Sequence, residues 1–419
     1  MASLEHWVPA FVRRSALLSL LVLLAACKRV PSDDMNQRTI TLRGRIPQTD
    51  TASVPGAIIA ALGPADAVKV IMISGNQYEI RAVSNGAFSF PVPTDRVVSL
   101  VLVGPADEYL GFVSVRDAIP GVPVQAVDDG VSTIDLGTLV ASGALIAPGV
   151  DPVGNGITLD DAEIEALSEL GVVARAFLED PDVDGDGVID LLQGREFRLQ
   201  IAALRNSSFA GLVGQPAAPV SVWQMGVNVV EDGVDTYPSS ATVTGPAGSG
   251  IDALMVNSMA AGFGNILYGI PLPTPEVRPT PGMWTLTYGE RTLLFQLADV
   301  SGLADIAPAL EPTVVLHDDQ TIERIDWVWR MADGSTSTAP ASLASDVRVQ
   351  VVAGAPAVRC PESNLTQFAP DNVYAMVLPP ETVSHELACQ DIPWSAVSSV
   401  ELSYVDVFGS QHVFVAQRF

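Results

Sequence analysis

The chain has 419 residues, with 22 Lys and Arg set against 48 Asp and Glu for a formal net charge of −26. That imbalance repels phosphate backbones, which excludes nucleic acid as a partner, and a local cluster of its acids would suit a divalent cation. Apolar residues make up 48% and charged residues 17%, so packed cores rather than disorder are expected, with 34 Gly and 31 Pro pointing to many short strands joined by turns.

At the amino terminus, Arg13 and Arg14 precede an apolar run over residues 15–26 that closes on Leu24-Ala25-Ala26-Cys27. As a helix the run reaches roughly 18 Å at ~1.5 Å per residue, short of the about 30 Å of a bilayer core. It has the dimensions of a signal h-region. The layout resembles a bacterial lipoprotein signal peptide. The resemblance implies removal of residues 1–26, diacylglyceryl attachment to the Cys27 sulfur and acylation of the new amino terminus. Lys28 stands where inner-membrane lipoproteins carry Asp, which implies the outer membrane, on its periplasmic or cell-surface face. The membrane is then a partner through the Cys27 anchor alone, because so acidic a body has no grip on anionic lipid. Residues 27–37 are polar, contain Pro31 and Asp33-Asp34, and read as a flexible tether.

Residues 38–146 alternate strand after strand. Thr39 to Gly44 alternates, residues 56–62 form a buried run, and Asn85-Gly86 signals a hairpin between residues 78–83 and 87–90. Residues 97–103, 111–115 and 133–139 supply further strands. Val54-Pro55-Gly56-Ala57, Ser84-Asn85-Gly86-Ala87-Phe88-Ser89-Phe90 and Ile134-Asp135-Leu136-Gly137 make this segment similar to the carboxypeptidase-regulatory-like, transthyretin-type sandwich of exported proteins. That resemblance implies a spacer or adhesive module and no enzyme.

Residues 157–195 read as a helix followed by an ion-binding loop. Thr158 is the expected N-cap with Asp161 three residues on, Ile164, Leu167 and Leu170 recur at helical spacing, and Gly171 interrupts before the pattern resumes. Asp182, Asp184, Asp186 and Asp190 then fall at positions 1, 3, 5 and 9 of a loop with Gly187 at position 6. That spacing converges hard oxygen ligands on one cation, and their density favours Ca2+ over Mg2+. The Val188 carbonyl supplies position 7. Position 12 departs from the EF-hand pattern, since Gln193 replaces the bidentate Glu and offers a single oxygen, with Glu196 as a substitute ligand. Residues 196–201 alternate like a strand rather than continuing as a helix, so the element resembles the loops of thrombospondin type 3 repeats. This implies a structural ion of weakened affinity and no opening switch.

Residues 196–304 are expected to form a second β-rich domain, with strands at 220–223, 241–244, 284–288 and 292–297. The glycine-rich stretch 245–269 is expected to be loop, and because no Lys follows Gly262-Phe263-Gly264 it is no phosphate cradle. Five prolines between 271 and 281 mark an extended connector. Residues 305–419 carry strands at 313–316, 325–329, 347–351 and 402–405, with a shape resembling an immunoglobulin or fibronectin type III sandwich. Trp327 and Trp329 share one strand face, where core packing outweighs a glycan platform. Cys360 and Cys389, an even pair in an exported protein, are expected to form a disulfide.

His317, His385 and His412 lie in no zinc-protease helix, and no Gly-x-Ser-x-Gly elbow is present. The fold class expected is therefore mainly β: several transthyretin- and immunoglobulin-like sandwiches with one short helical calcium-loop insert. The function expected is that of a lipid-anchored, non-enzymatic exported protein, structural or adhesive, with a protein or glycan ligand and a structural calcium site. The alternative is an envelope hydrolase or carbohydrate-binding lipoprotein with its site on the C-terminal β domains.

Overall fold

A computed structural model of the chain describes residues 38–47, 68–74, 77–142, 145–208, 220–231, 240–260, 266–274, 277–300, 307–331, 334–337, 343–353, 366–368, 373–379, 381–387 and 392–417. Every structural count below refers to these residues. Cys27, Cys360 and Cys389 lie outside them, as do the signal segment, the tether and the run at 56–62. The chain is mainly β, in several separate sheets, with two α-helices among the described residues. No helix among them is long and apolar enough to cross a membrane.

The amino-terminal unit contains β1 (Thr39–Arg45), β2 (Lys69–Ser74), β3 (Gln77–Ala82), β4 (Ala87–Pro93), β5 (Val97–Val103), β6 (Tyr109–Phe112), β7 (Val122–Pro123), β8 (Thr133–Thr138), β9 (Val140–Ser142) and β10 (Leu145–Ala147). Alternation sets the pairing of β1 with β4, where Ile40 faces Val92 and Leu42 faces Phe90, all four buried. Strand β8 adds in parallel to β1, and β3-β2-β5-β6 with β7 forms the facing sheet.

Asn85 and Gly86 adopt φ 51° and 70°, and Ser84 and Ala87 exchange hydrogen bonds of 3.0 and 2.9 Å around them. The turn is as expected, but the hairpin is not: β3 pairs with β2 and β4 pairs with β1, so the turn carries the chain from one sheet to the other. A two-residue turn fixes only the next pair of residues, and burial of Phe88 and Phe90 against β1 decides where the strand goes.

Strand β5 is buried on both faces, which explains its continuous apolar run. Leu100 and Leu102 point into the sandwich, while Val101 and Val103 join Ile71 and Phe112 on the outer face. The helical insert covers that outer face. Helix α1 (Asp161–Leu170) is capped by Asp160, not Thr158: the Asp160 carboxylate accepts from Glu163 N at 2.8 Å and the Glu163 carboxylate accepts from Asp160 N at 2.9 Å. Thr158 instead donates its hydroxyl to Asp128 at 2.6 Å, and Asp161 lies inside the helix. Gly171 separates α1 from α2 (Val172–Glu179), and a Cβ there would meet the Pro120 ring at 2.6 Å.

The C-terminal half contains β11 (Arg195–Ser208), β12 (Val220–Glu231), β13 (Ser240–Thr244), β14 (Leu254–Ala260), β15 (Ile266–Ile270), β16 (Gly282–Tyr288) and β17 (Arg291–Leu297). Beyond them come β18 (Ala309–Leu316), β19 (Ile322–Arg330), β20 (Thr336–Ser337), β21 (Ala344–Ala353), β22 (Thr366–Phe368), β23 (Val373–Leu378), β24 (Ser384–Glu386), β25 (Val397–Asp406) and β26 (Gln411–Gln417). The stretch expected to be loop at 245–269 holds β14 and β15. Val256, Tyr268 and Ile270 are buried there while Met255 points out, an alternation that the glycines on either side obscure.

Twelve strands form one path, β17-β16-β13-β14-β15-β12-β11-β26-β25-β21-β23-β22. One step of it is a parallel pairing of β11 with β26, in register from Ala203 opposite His412 to Ser208 opposite Gln417. The ladder thus runs without a break across residue 305. Strands β18, β19, β20 and β24 form a separate four-stranded sheet. Trp327 and Trp329 are 2% and 0% exposed in the core between it and β21 and β25, which removes them as a glycan platform.

Candidate metal centre

Helix α2 ends at Glu179, and the acidic loop runs from Asp180 into a 3₁₀ turn at Asp190–Gln193 before β11 begins. The loop closes on its own carboxylates. Asp182 accepts from Gly187 N at 2.7 Å and from Asp186 N at 3.1 Å, Asp186 accepts from Val188 N at 3.0 Å, and Asp190 accepts from Val183 N at 2.7 Å. Gly185 and Gly187 sit at φ 72° and 89°, and the turn at position 6 needs that left-handed backbone.

Asp182, Asp184 and Asp190 converge, with one carboxylate oxygen from each lying within 4.8 Å of the others. Asp190 is 2% exposed, and its second oxygen, Oδ1, accepts no hydrogen bond. A buried carboxylate oxygen without a donor is costly unless a cation faces it. Hard oxygens at this spacing and an orphaned buried acceptor fit a calcium ion. Asp186 is set apart from the trio: it is exposed and accepts from Gln193 Nε2 at 3.0 and 3.2 Å. Gln193 therefore holds Asp186 in place. Glu196 is the second residue of β11, opposite Val230 in the ladder.

Arg195 stands among these carboxylates, a placement that ligand spacing does not reveal. Its guanidinium Nη1 bonds to Asp184 Oδ2, lies 3.6 Å from Asp186 Oδ2 and sits 4.0 Å from Asp190 Oδ1. One signal could have found it: no Lys or Arg occurs between Arg175 and Arg195, so it is the first cation the chain offers after four loop carboxylates.

Burial and the neighbouring Asp184 and Asp182 push the Asp190 carboxyl up to about 7, against the downward pull of the Val183 N–H and Arg195. Burial also raises Asp184, opposed by the Asp186 N–H and Arg195. Asp186 is lowered, chiefly by the Gln193 amide and then by the Val188 N–H.

The loop is wedged between two apolar clusters. Ile189 and Leu191, on either side of Asp190, pack with Leu178 onto Ile71, Val101, Val103 and Phe112 of the amino-terminal unit. Val183 joins the main core that contains Phe197 and Phe295, and its carbonyl accepts from Leu294 N of β17 at 2.7 Å. A cavity of about 20 Å³ beside it, lined by Val173, Phe177, Val183, Phe197 and Phe295, has room for water and not for an organic substrate.

The histidines have separate surroundings. His412 is buried, stacks on Tyr404 at 4.5 Å and pairs with Asp406 at 3.0 Å, whose other oxygen accepts from Phe408 N and Ser410 N. This arrangement holds the β25–β26 turn. His385 lies in β24 opposite Ile325, and His317 closes the turn between β18 and β19 through bonds to Thr321 and Gln320.

No family model matches the chain, and no curated protein matches it. Solved structures with some likeness include the product complex of a multi-modular glycogen-degrading pneumococcal virulence factor, SpuA, at 8% identity and a TM-score of 0.15. That match covers 87% of this chain and only 36% of the other, so the chain spans little more than a third of it. Another is the BSP domain of a biofilm associated protein, at 12% identity and a TM-score of 0.14, covering 96% of this chain and 70% of that one. Overlaps this slight carry no conclusion about fold or activity.

Proposed function

We propose that the chain is a lipid-anchored exported protein, structural or adhesive, in which a calcium ion bound by Asp182, Asp184 and Asp190 stiffens the joint between its amino-terminal sandwich and its C-terminal sheets. Anchoring is through Cys27 in the outer membrane, and a protein or glycan is the ligand class for the β domains. The observation that carries the calcium reading is the convergence of Asp182, Asp184 and Asp190, one carboxylate oxygen of each within 4.8 Å of the others, on a residue whose Oδ1 is buried without a hydrogen bond, Asp190. Because Ile189 and Leu191 pack on the outer face of the amino-terminal unit while the Val183 carbonyl accepts from Leu294 N of β17, an ion that orders the loop also ties these units together. Ion binding to the folded loop stabilises it by mass action.

Thermal melting with saturating calcium and with EGTA tests this reading. Calcium should raise the melting temperature, and Asp184→Ala with Asp186→Ala should remove the calcium response. An unchanged transition together with no bound calcium would sink the proposal.

A further inference from the structure

We propose that Arg195 is an internal counter-cation that competes with calcium for the acidic loop and thereby sets its affinity. The inference rests on the calcium reading above and concerns the regulation of that same site. A single guanidinium nitrogen bonds to Asp184 and lies within 4.0 Å of both Asp186 and Asp190, so it stands among three of the four loop carboxylates. Asp190 Oδ1 is buried and takes no hydrogen bond from it or from any other described group. One positive charge thus offsets part of the cluster's negative charge at close range, while its buried acceptor remains available to an ion.

The backbone at Arg195 is pinned. Gly194, at φ 74°, gives its N–H to the carbonyls of Asp190 and Leu191, and Arg195 itself pairs with Glu231 at the start of the β11–β12 ladder. Only the long side chain is free to leave, and its base is fixed where it reaches the loop. A guanidinium and a dication a few ångströms apart repel strongly even at an effective dielectric of about 20. Calcium ligated by Asp184 therefore displaces Arg195. Binding is an exchange of one cation for another, so the calcium-free loop stays folded and the affinity is lowered by the cost of removing the arginine.

Calorimetric titration of the full chain with calcium, beside melting in EGTA, tests the exchange. Arg195→Gln should bind calcium at least about tenfold more tightly than the unaltered chain, because the competitor and its repulsion are gone. In EGTA it should melt lower than the unaltered chain, and calcium should close that gap. Arg175→Gln is the control for net charge. Its guanidinium bonds to the carbonyls of Asp117 and Ala118, and its removal should alter affinity by less than about twofold.

Calcium binding by the unaltered chain with equal or weaker binding by Arg195→Gln would overturn the exchange and leave the calcium site standing. Equal tightening by Arg175→Gln would also overturn it. No calcium binding by any of the three proteins removes the calcium reading and this inference together. If Arg195→Gln folds only with calcium, the exchange is supported. If it folds in neither condition, Arg195→Lys decides: its shorter reach should tighten calcium binding, and unchanged affinity overturns the proposal.

Discussion

Asp190 lies buried beside Asp182 and Asp184, and its carboxyl titrates near 7 in the folded protein against about 3.9 in an unfolded chain. The folded state therefore holds the proton more tightly than the unfolded state does. The resulting stabilisation of the calcium-free protein is full below about pH 4 and is lost as pH rises through about 7. Calcium reverses the sign, since it binds the ionised carboxylate. In EGTA the melting temperature should fall between about pH 4 and 7, and saturating calcium should flatten or invert that slope. Glu401, buried beside Gln350 and Ser399 and also raised to about 7, contributes in the same direction. The difference between the unaltered chain and Asp190→Asn isolates the loop: their calcium-free profiles should diverge across this window, and parallel profiles would remove Asp190 from the account. At this scale the convergence of Asp182, Asp184 and Asp190 is legible because ligand spacing within a loop is a local property, whereas Asp186, placed in the same pattern, stands apart on Gln193. Arg195 is not legible, because its place among these carboxylates depends on where β11 starts and which way its first side chain turns.

The helical insert shows what local signals resolve at the scale of an element. Helical spacing and the break at Gly171 are both visible in the sequence. The cap is off by two residues, because Thr158 and Asp160 are both good N-caps and the choice falls to Thr158 being held by Asp128, in the segment between β7 and β8 of the amino-terminal unit. Asp160→Ala should cost about 1 kcal/mol in urea unfolding and Thr158→Ala less, and the reverse order would contradict the observed cap. Strands β14 and β15 are harder to read. Glycines flank short alternating runs, and only pairing with β13 and β12 makes them strands. The Asn85-Gly86 turn is legible as a turn, but which strands it serves is settled by the burial of Phe88 and Phe90 against β1.

For the whole molecule, the expectation of several β units carrying a short helical insert matches the architecture, and the connection through β11 and β26 adds a feature no local pattern encodes. That parallel pairing joins residues about two hundred positions apart, so it rests on which apolar faces remain uncovered once each unit has formed. Cys360 and Cys389 lie outside the described residues, and their bridge is an expectation from the sequence. If they are bridged, unfolding without reductant should expose no free thiol from this pair, and reduction should expose two and lower the melting temperature. Two reactive thiols in the unreduced, unfolded chain would remove the bridge. In sequence alone the charge, the Leu-Ala-Ala-Cys box, the strand alternation and the aspartate spacing are determined, since each depends on residues a few positions apart. Tertiary structure alone decides that Arg195 stands among the aspartates, that Trp327 and Trp329 are buried, and that the acidic loop sits between two cores. Those outcomes depend on which distant surfaces exclude water together, and no short window of the chain carries that information.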